Sequence, residues 1–130
     1  MSPKGLAWPF LALLALLVAR RRLDVVEVRG RSMAPTLLRG DRLLVARTGA
    51  ARVGDVVLAA DPRRPGRELI KRVADIGPRG ISLRGDNPAA STDARAFGPL
   101  SPDAVRWRVV WRYWPPRRAG PVPPAPARPR

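Results

Sequence analysis

Two residues of this chain stand out for chemistry: Ser32, in the run Val28-Arg29-Gly30-Arg31-Ser32-Met33-Ala34-Pro35-Thr36-Leu37, and Lys71, in Glu68-Leu69-Ile70-Lys71-Arg72-Val73. A serine hydroxyl becomes a nucleophile when a neighbouring base takes its proton. The chain has no histidine and no cysteine, so histidine-based triads, thiol nucleophiles, thiolate metal sites and disulfides are all excluded. A carboxylate, a tyrosine or a lysine is left to move protons near neutral pH. Of 25 basic residues only Lys4 and Lys71 are lysines. Arginine holds its proton in water, whereas a lysine desolvated among apolar neighbours is pushed towards its neutral form. Asp41 and Asp55 are alternative bases, but each follows a glycine in a turn signal, where a carboxylate ordinarily accepts from local backbone amides. Gly30 permits a tight turn that aims backbone N–H groups at a substrate oxygen, and Pro35 suits the first turn of a short helix.

The elements that must hold these residues read as strands. Val25–Val28, Asp41–Ala46, Asp55–Ala60, Glu68–Ile76, Gly80–Arg84 and Val105–Tyr113 are rich in β-branched residues, with Gly-Asp, Asp-Pro, Gly-Pro and Asp-Asn-Pro turn signals between them. The fold class expected is mainly β: a small antiparallel, barrel-like folded sheet. In the last segment strict alternation puts Val105, Trp107, Val109, Trp111 and Tyr113 on a core face and Arg106, Arg108, Val110, Arg112 and Trp114 on a mostly wet one. Residues 24–114 form the expected catalytic domain. Residues 115–130, with seven prolines, are expected to be a disordered tail.

Residues 1–23 are a separate hydrophobic segment. An uncharged run, residues 6–19, is closed by Arg20-Arg21-Arg22. As a helix it reaches roughly 21 Å against a hydrocarbon layer of about 30 Å. A short membrane anchor is the favoured reading, ahead of an interfacial helix or an arm docked on the domain. If it spans, the three arginines that follow it favour a cytoplasmic body. The net charge of +15 suits an anionic surface, but the arginines are scattered without interleaved aromatics, so no specific nucleic-acid partner is expected.

Ser32-Met33-x-Pro35-Thr36-Leu37, Gly40-Asp41, Gly54-Asp55-Val56-Val57, Lys71-Arg72-Val73, Gly85-Asp86-Asn87 and Ser91-x-Asp93-x-Arg95 together resemble the ordered motif set of the type I signal peptidase family. A lone Ser-Met-x-Pro would also fit self-cleaving repressors, but the residues before the domain are too few for a DNA-reading helix-turn-helix. The resemblance implies that Ser32 is the nucleophile, Lys71 the general base and Ser91 the hydroxyl orienting the lysine amine. It further implies that Asp93 and Arg95 are a supporting ion pair, that Gly30, Met33 and Pro35 shape the oxyanion site, and that Gly85-Asp86-Asn87 is a site-shaping turn. No cofactor or metal is implied. The partner implied is a precursor protein with an extended N-terminal segment.

The sequence departs from that pattern in places. Gly30 stands where some members carry an oxyanion-binding serine, Gly77-Pro78-Arg79-Gly80 replaces a Pro-Gly-Asp, and Ala94 stands at a common second serine. Only 14 residues separate Lys71 from Gly85, too few for an inserted β domain. This compactness resembles the small proteases that mature nickel-type superoxide dismutase by removing a pro-segment. The expected function is therefore a Ser-Lys endopeptidase that trims a precursor, with a general signal peptidase or a membrane-tethered basic binding module as alternatives.

Overall fold

The computed structural model describes residues 4–90 and 97–127. Helix α1 (Lys4–Arg22) runs directly into strand β1 (Leu23–Glu27), followed by β2 (Arg42–Arg47), β3 (Val56–Ala60), β4 (Glu68–Gly77), β5 (Gly80–Arg84) and β6 (Val105–Trp114). The strands form one antiparallel sheet in the order β1-β2-β6-β3-β4-β5. Each expected β segment is a strand, its ends displaced by at most two residues. The sheet stays open, with β1 and β5 at its margins.

Burial on both faces explains why β3 reads as an unbroken apolar run, Val56-Val57-Leu58-Ala59. Val56 joins Val28, Met33, Leu37, Leu43, Val45 and Val109 in one core. Val57 and Ala59 join Val73, Ile81, Leu83, Leu100 and Val105 in a second core. Each buried Val or Leu contributes roughly 1.5–3 kcal/mol by leaving water. Between β4 and β5 the turn is two residues, Pro78-Arg79, and Gly80 is obligatory there. It sits at φ +127°, and a Cβ on it would approach the Leu100 carbonyl oxygen to 2.3 Å.

Two expectations are corrected. The alternation of β6 holds from Val105 to Val109 and then fails. Register shifts against β2 between Leu44/Val45 and Arg42/Leu43 insert extra residues, so Arg112 turns into the core while Trp111 and Tyr113 face solvent. The proline-rich tail is also not disordered over its first part. Residues 116–118 form a 3₁₀ turn, Gly120 exchanges both backbone hydrogen bonds with Arg112, and Val122 packs against the first core. Proline removes N–H donors but leaves the chain's carbonyls, and here those of Pro123 and Arg118 accept from Arg72 and Arg112 of the sheet.

Helix α1 is exposed along its apolar length, with Trp8, Phe10, Leu11, Leu14 and Leu17 uncovered. No helix among the described residues is long and apolar enough to cross a membrane.

The β3–β4 hairpin tip is built on Asp61. Its buried carboxylate accepts from the Arg63 backbone N–H at 2.9 Å and from the Arg63 guanidinium at 3.2 and 3.3 Å, and Arg63 also stacks over Phe97. The backbone hydrogen bond from Arg63, followed by that from its side chain, holds the carboxyl below its usual value of 3.8. A group whose folded value is depressed stabilises the fold above its unfolded value, and that contribution disappears as pH falls through the folded value. Amides of residues 61–67 are therefore expected to lose hydrogen-exchange protection below pH 3.8, after correction for intrinsic rates. Asp61→Asn should show weaker protection at neutral pH and no such acid step.

Candidate active site

Ser32 lies in a loop after β1, where residues 31–37 make consecutive turns with Ala34 N donating to Arg31 O and Leu37 N to Met33 O. The short helix expected at Pro35 does not form. Met33 and Leu37 are buried in the first core and pin the loop from below, leaving Ser32 half-buried above them. Gly30 is not in the left-handed region, and a Cβ there would meet nothing within 4 Å, so neither the turn nor packing requires glycine at this position. Pro35 is exposed.

Lys71 stands mid-strand on β4, opposite Val57 on β3, and is 2% exposed. Strand periodicity places it on one face with Leu69 and Val73, both buried, while Ile70 and Arg72 occupy the other. Ser32 and Lys71 line the same groove, of about 860 Å³, together with Met33, Leu58, Ile70 and the Val25–Arg31 segment. The groove is bounded by two free strand edges. Among the described residues β1 pairs only with β2, and β5 pairs with β4 only from Arg72 onward, which leaves the start of β4, Glu68–Ile70, without a described strand on that side. Three strands lie between β1 and β4 in the sheet order, yet both face one cavity, so the sheet coils around it.

The Gly85-Asp86-Asn87 turn clamps the serine loop. Asn87 N donates to Ser32 O at 2.8 Å and Asn87 Nδ2 to Arg31 O at 3.0 Å. Asp86 accepts from Thr36 Oγ1 at 2.6 Å and takes a two-pronged bond from Arg72 at 2.9 and 2.8 Å. The remaining Arg72 nitrogen donates to Gly54 O at 2.8 Å. The Arg72–Asp86 pair is absent from any reading of the motifs one at a time, although Lys71-Arg72-Val73 and Gly85-Asp86-Asn87 were each visible. Ser91, Asp93 and Arg95 lie outside the described residues.

The alternative bases are committed elsewhere. Asp41 accepts from Leu38 N, Arg112 Nη1 and Arg118 Nη1 at 2.8, 3.2 and 2.9 Å, and Asp55 accepts from Arg52 N at 2.9 Å. Both carboxylates cap turns, as expected of Gly-Asp signals. Neither Asp41 nor Asp55 lines the groove. Among the described residues no cluster of three or more acidic side chains suits a metal ion.

The family model described as "Signal peptidase, peptidase S26" matches residues 5–86, a stretch that includes Ser32, Lys71 and Asp86. The chain belongs to the S26 signal peptidase family. Mitochondrial ATP-independent inner membrane protease subunit 1a of Arabidopsis thaliana is 36% identical, with 75% of this chain and 74% of the relative covered. Human mitochondrial inner membrane protease subunit 1 is 29% identical, covering 70% of this chain and 69% of its own. Subunit 2 of the corresponding protease of Schizosaccharomyces pombe is also 29% identical, covering 79% and 71%.

For an S26 domain built this way, Asp86 is the joint between the serine loop and the sheet. The Arg72 and Asp86 side chains are 9% and 4% exposed. Removing one partner of such a pair strands the other charge. Asp86→Ala is expected to lower the free energy of unfolding by about 3–5 kcal/mol, read from the denaturant midpoint. Arg72→Met with Asp86→Leu, which removes both charges, should recover most of that loss.

Proposed function

We propose that this chain is a serine endopeptidase in which Ser32 is the nucleophile and Lys71 the general base, removing an N-terminal signal or pro-segment from a precursor protein. The observation that carries this reading is the shared groove: the half-buried serine and the fully buried lysine line one cavity between two free strand edges. Family membership supports the peptidase class.

An extended peptide fits between β1 and the first residues of β4 as an added strand, its backbone bonding to the unpaired edges. Burial disfavours a charged amine, so Lys71 accepts the Ser32 proton as the serine Oγ attacks the peptide carbonyl. Backbone N–H groups, chiefly that of Ser32, stabilise the oxyanion. The protonated amine then gives its proton to the departing amine, leaving an ester on Ser32. Lys71 next takes a proton from water, which attacks the ester and releases the acid. Ser91 orients the lysine amine and Asp93 pairs with Arg95 in this reading, as the motif resemblance implies.

The two-residue turn between β4 and β5 leaves no inserted domain between the lysine and the Gly-Asp-Asn turn, which supports a compact maturation protease. The precursor proposed is a nickel-type superoxide dismutase. Co-expression with that precursor, and separately with an exported preprotein, tests the assignment by mass spectrometry of the new N-terminus. Wild type should cleave the former. Ser32→Ala and Lys71→Arg should each lower the rate by at least about 10²-fold, because arginine keeps the charge and cannot act as a base. Cleavage that survives Lys71→Arg would sink the dyad, and cleavage of the preprotein alone would make this a general signal peptidase.

The protein is also proposed to sit on a membrane. Leu23, Val25, Leu44, Trp111 and Trp114 share the outer face of β1, β2 and β6, beside the exposed apolar length of α1. Arg42 stacks over Trp114 on this face at 5.7 Å. Apolar surface flanked by tryptophan and arginine suits an anionic interface. Sedimentation with vesicles should show binding to anionic ones that falls as salt rises, and Trp111→Ser with Trp114→Ser should weaken it; equal binding to neutral vesicles in high salt would contradict the electrostatic part.

A further inference from the structure

The tail after β6 reaches back to the loop that carries Ser32, and its contacts converge on one residue, Thr36. Arg112 is the first link. Its Nε donates to Arg118 O at 2.6 Å, its backbone exchanges 2.8 and 2.9 Å hydrogen bonds with Gly120, and its Nη1 donates to Thr36 O at 2.8 Å. Arg118 Nη1 completes this side on Asp41 Oδ1 at 2.9 Å. Arg72 is the second link. Its Nη2 donates to Pro123 O at 3.0 Å as well as to Asp86, which holds Thr36 Oγ1. Val122 packs between these links on the core that contains Met33 and Leu37.

We propose that residues 115–123 are a clasp that positions the serine loop for catalysis. This rests on the reading of Ser32 as nucleophile. None of residues 115–123 lines the groove, so the clasp acts through Thr36 and not through substrate. Both arginines are buried, at 8% and 7% exposure, and their donors need acceptors. The tail supplies carbonyl acceptors to both guanidinium groups, which at the same time donate to Asp86 or to Thr36. Without those carbonyls the guanidinium groups must find other partners, and the loop between Arg31 and Leu37 loses two of its outside supports. A displacement of about 1 Å at a nucleophile is enough to cost about 10²-fold in rate.

The test compares a variant ending at Trp114, one ending at Pro124 and the full chain. In the variant ending at Trp114, amides of residues 31–41 should exchange at least about tenfold faster, while those of β3, β4 and β5 stay near full-chain rates. Its kcat should fall by at least about tenfold with KM within about threefold, because most of the groove lining, residues 25–30 and 64–71, lies outside the loosened segment. Adding a synthetic peptide of residues 115–127 should restore both, and the variant ending at Pro124 should match the full chain. Arg118→Gln combined with Val122→Ala gives a milder lesion, in which the same local loss of protection is expected. Unchanged exchange at 31–41, or acceleration spread equally over all strands in both lesions, overturns the clasp. The exchange readout needs no substrate, so absence of cleavage by wild type would count against the peptidase reading and leave the clasp decided by protection.

Discussion

Thr36 bears the constraint on which the site depends. Between residues 31 and 37 the loop that carries Ser32 makes two short-range backbone hydrogen bonds, Ala34 N to Arg31 O and Leu37 N to Met33 O, too few to define its shape. Its form is imposed from outside by the apolar seats of Met33 and Leu37 and by arginine-held polar groups on both sides of Thr36. Buried ion pairs of this kind are poor sources of net stability, because desolvating the charges offsets their attraction. Their value lies in geometry: a planar fork with several donors has few ways to satisfy all of them at once.

The same economy shapes the groove. A sheet of six short strands that stays open must coil, and coiling brings the free edge of β1 opposite the free start of β4. An unprotected strand edge ordinarily invites aggregation. Here both edges front one cavity, so the pairing capacity is directed at whatever segment enters it. The loop that carries Ser32 leaves one bank and Lys71 stands on the other, so the fold that creates the groove also sets the proposed serine–lysine pair across it.

Much of this was legible from residue types. The six strands follow from β-branched runs between turn signals, and the Gly-Asp turns capped as their chemistry requires. Three things were not legible, each for a physical reason. The β6 bulges flip a strand's faces without changing its composition, so alternation assigned Arg112 to solvent although it is buried. The tail's proline content signals a lack of donors, which says nothing about how well its carbonyls serve arginines elsewhere in the chain. The Arg72–Asp86 contact spans 14 residues and a strand reversal, so neither residue's own neighbourhood announces it.

Arg72 follows Lys71 directly, and adjacency on a strand sends the two cations to opposite faces. On one face Lys71, 2% exposed, lies beside Val57, Leu69 and Val73, and in the proposed mechanism that burial favours the amine that accepts a proton. On the other a guanidinium divides its nitrogens among Asp86, Gly54 and Pro123, work that three donors on a flexible stem would do less rigidly. Exchanging the two residues would therefore defeat both: arginine at 71 holds its proton at any working pH, and lysine at 72 lacks the fork that keeps Asp86 and, through it, Thr36 in place. In the proposed dyad, Lys71 is therefore the position, in a chain whose 25 basic residues are nearly all arginine, that needs a cation able to give up its proton.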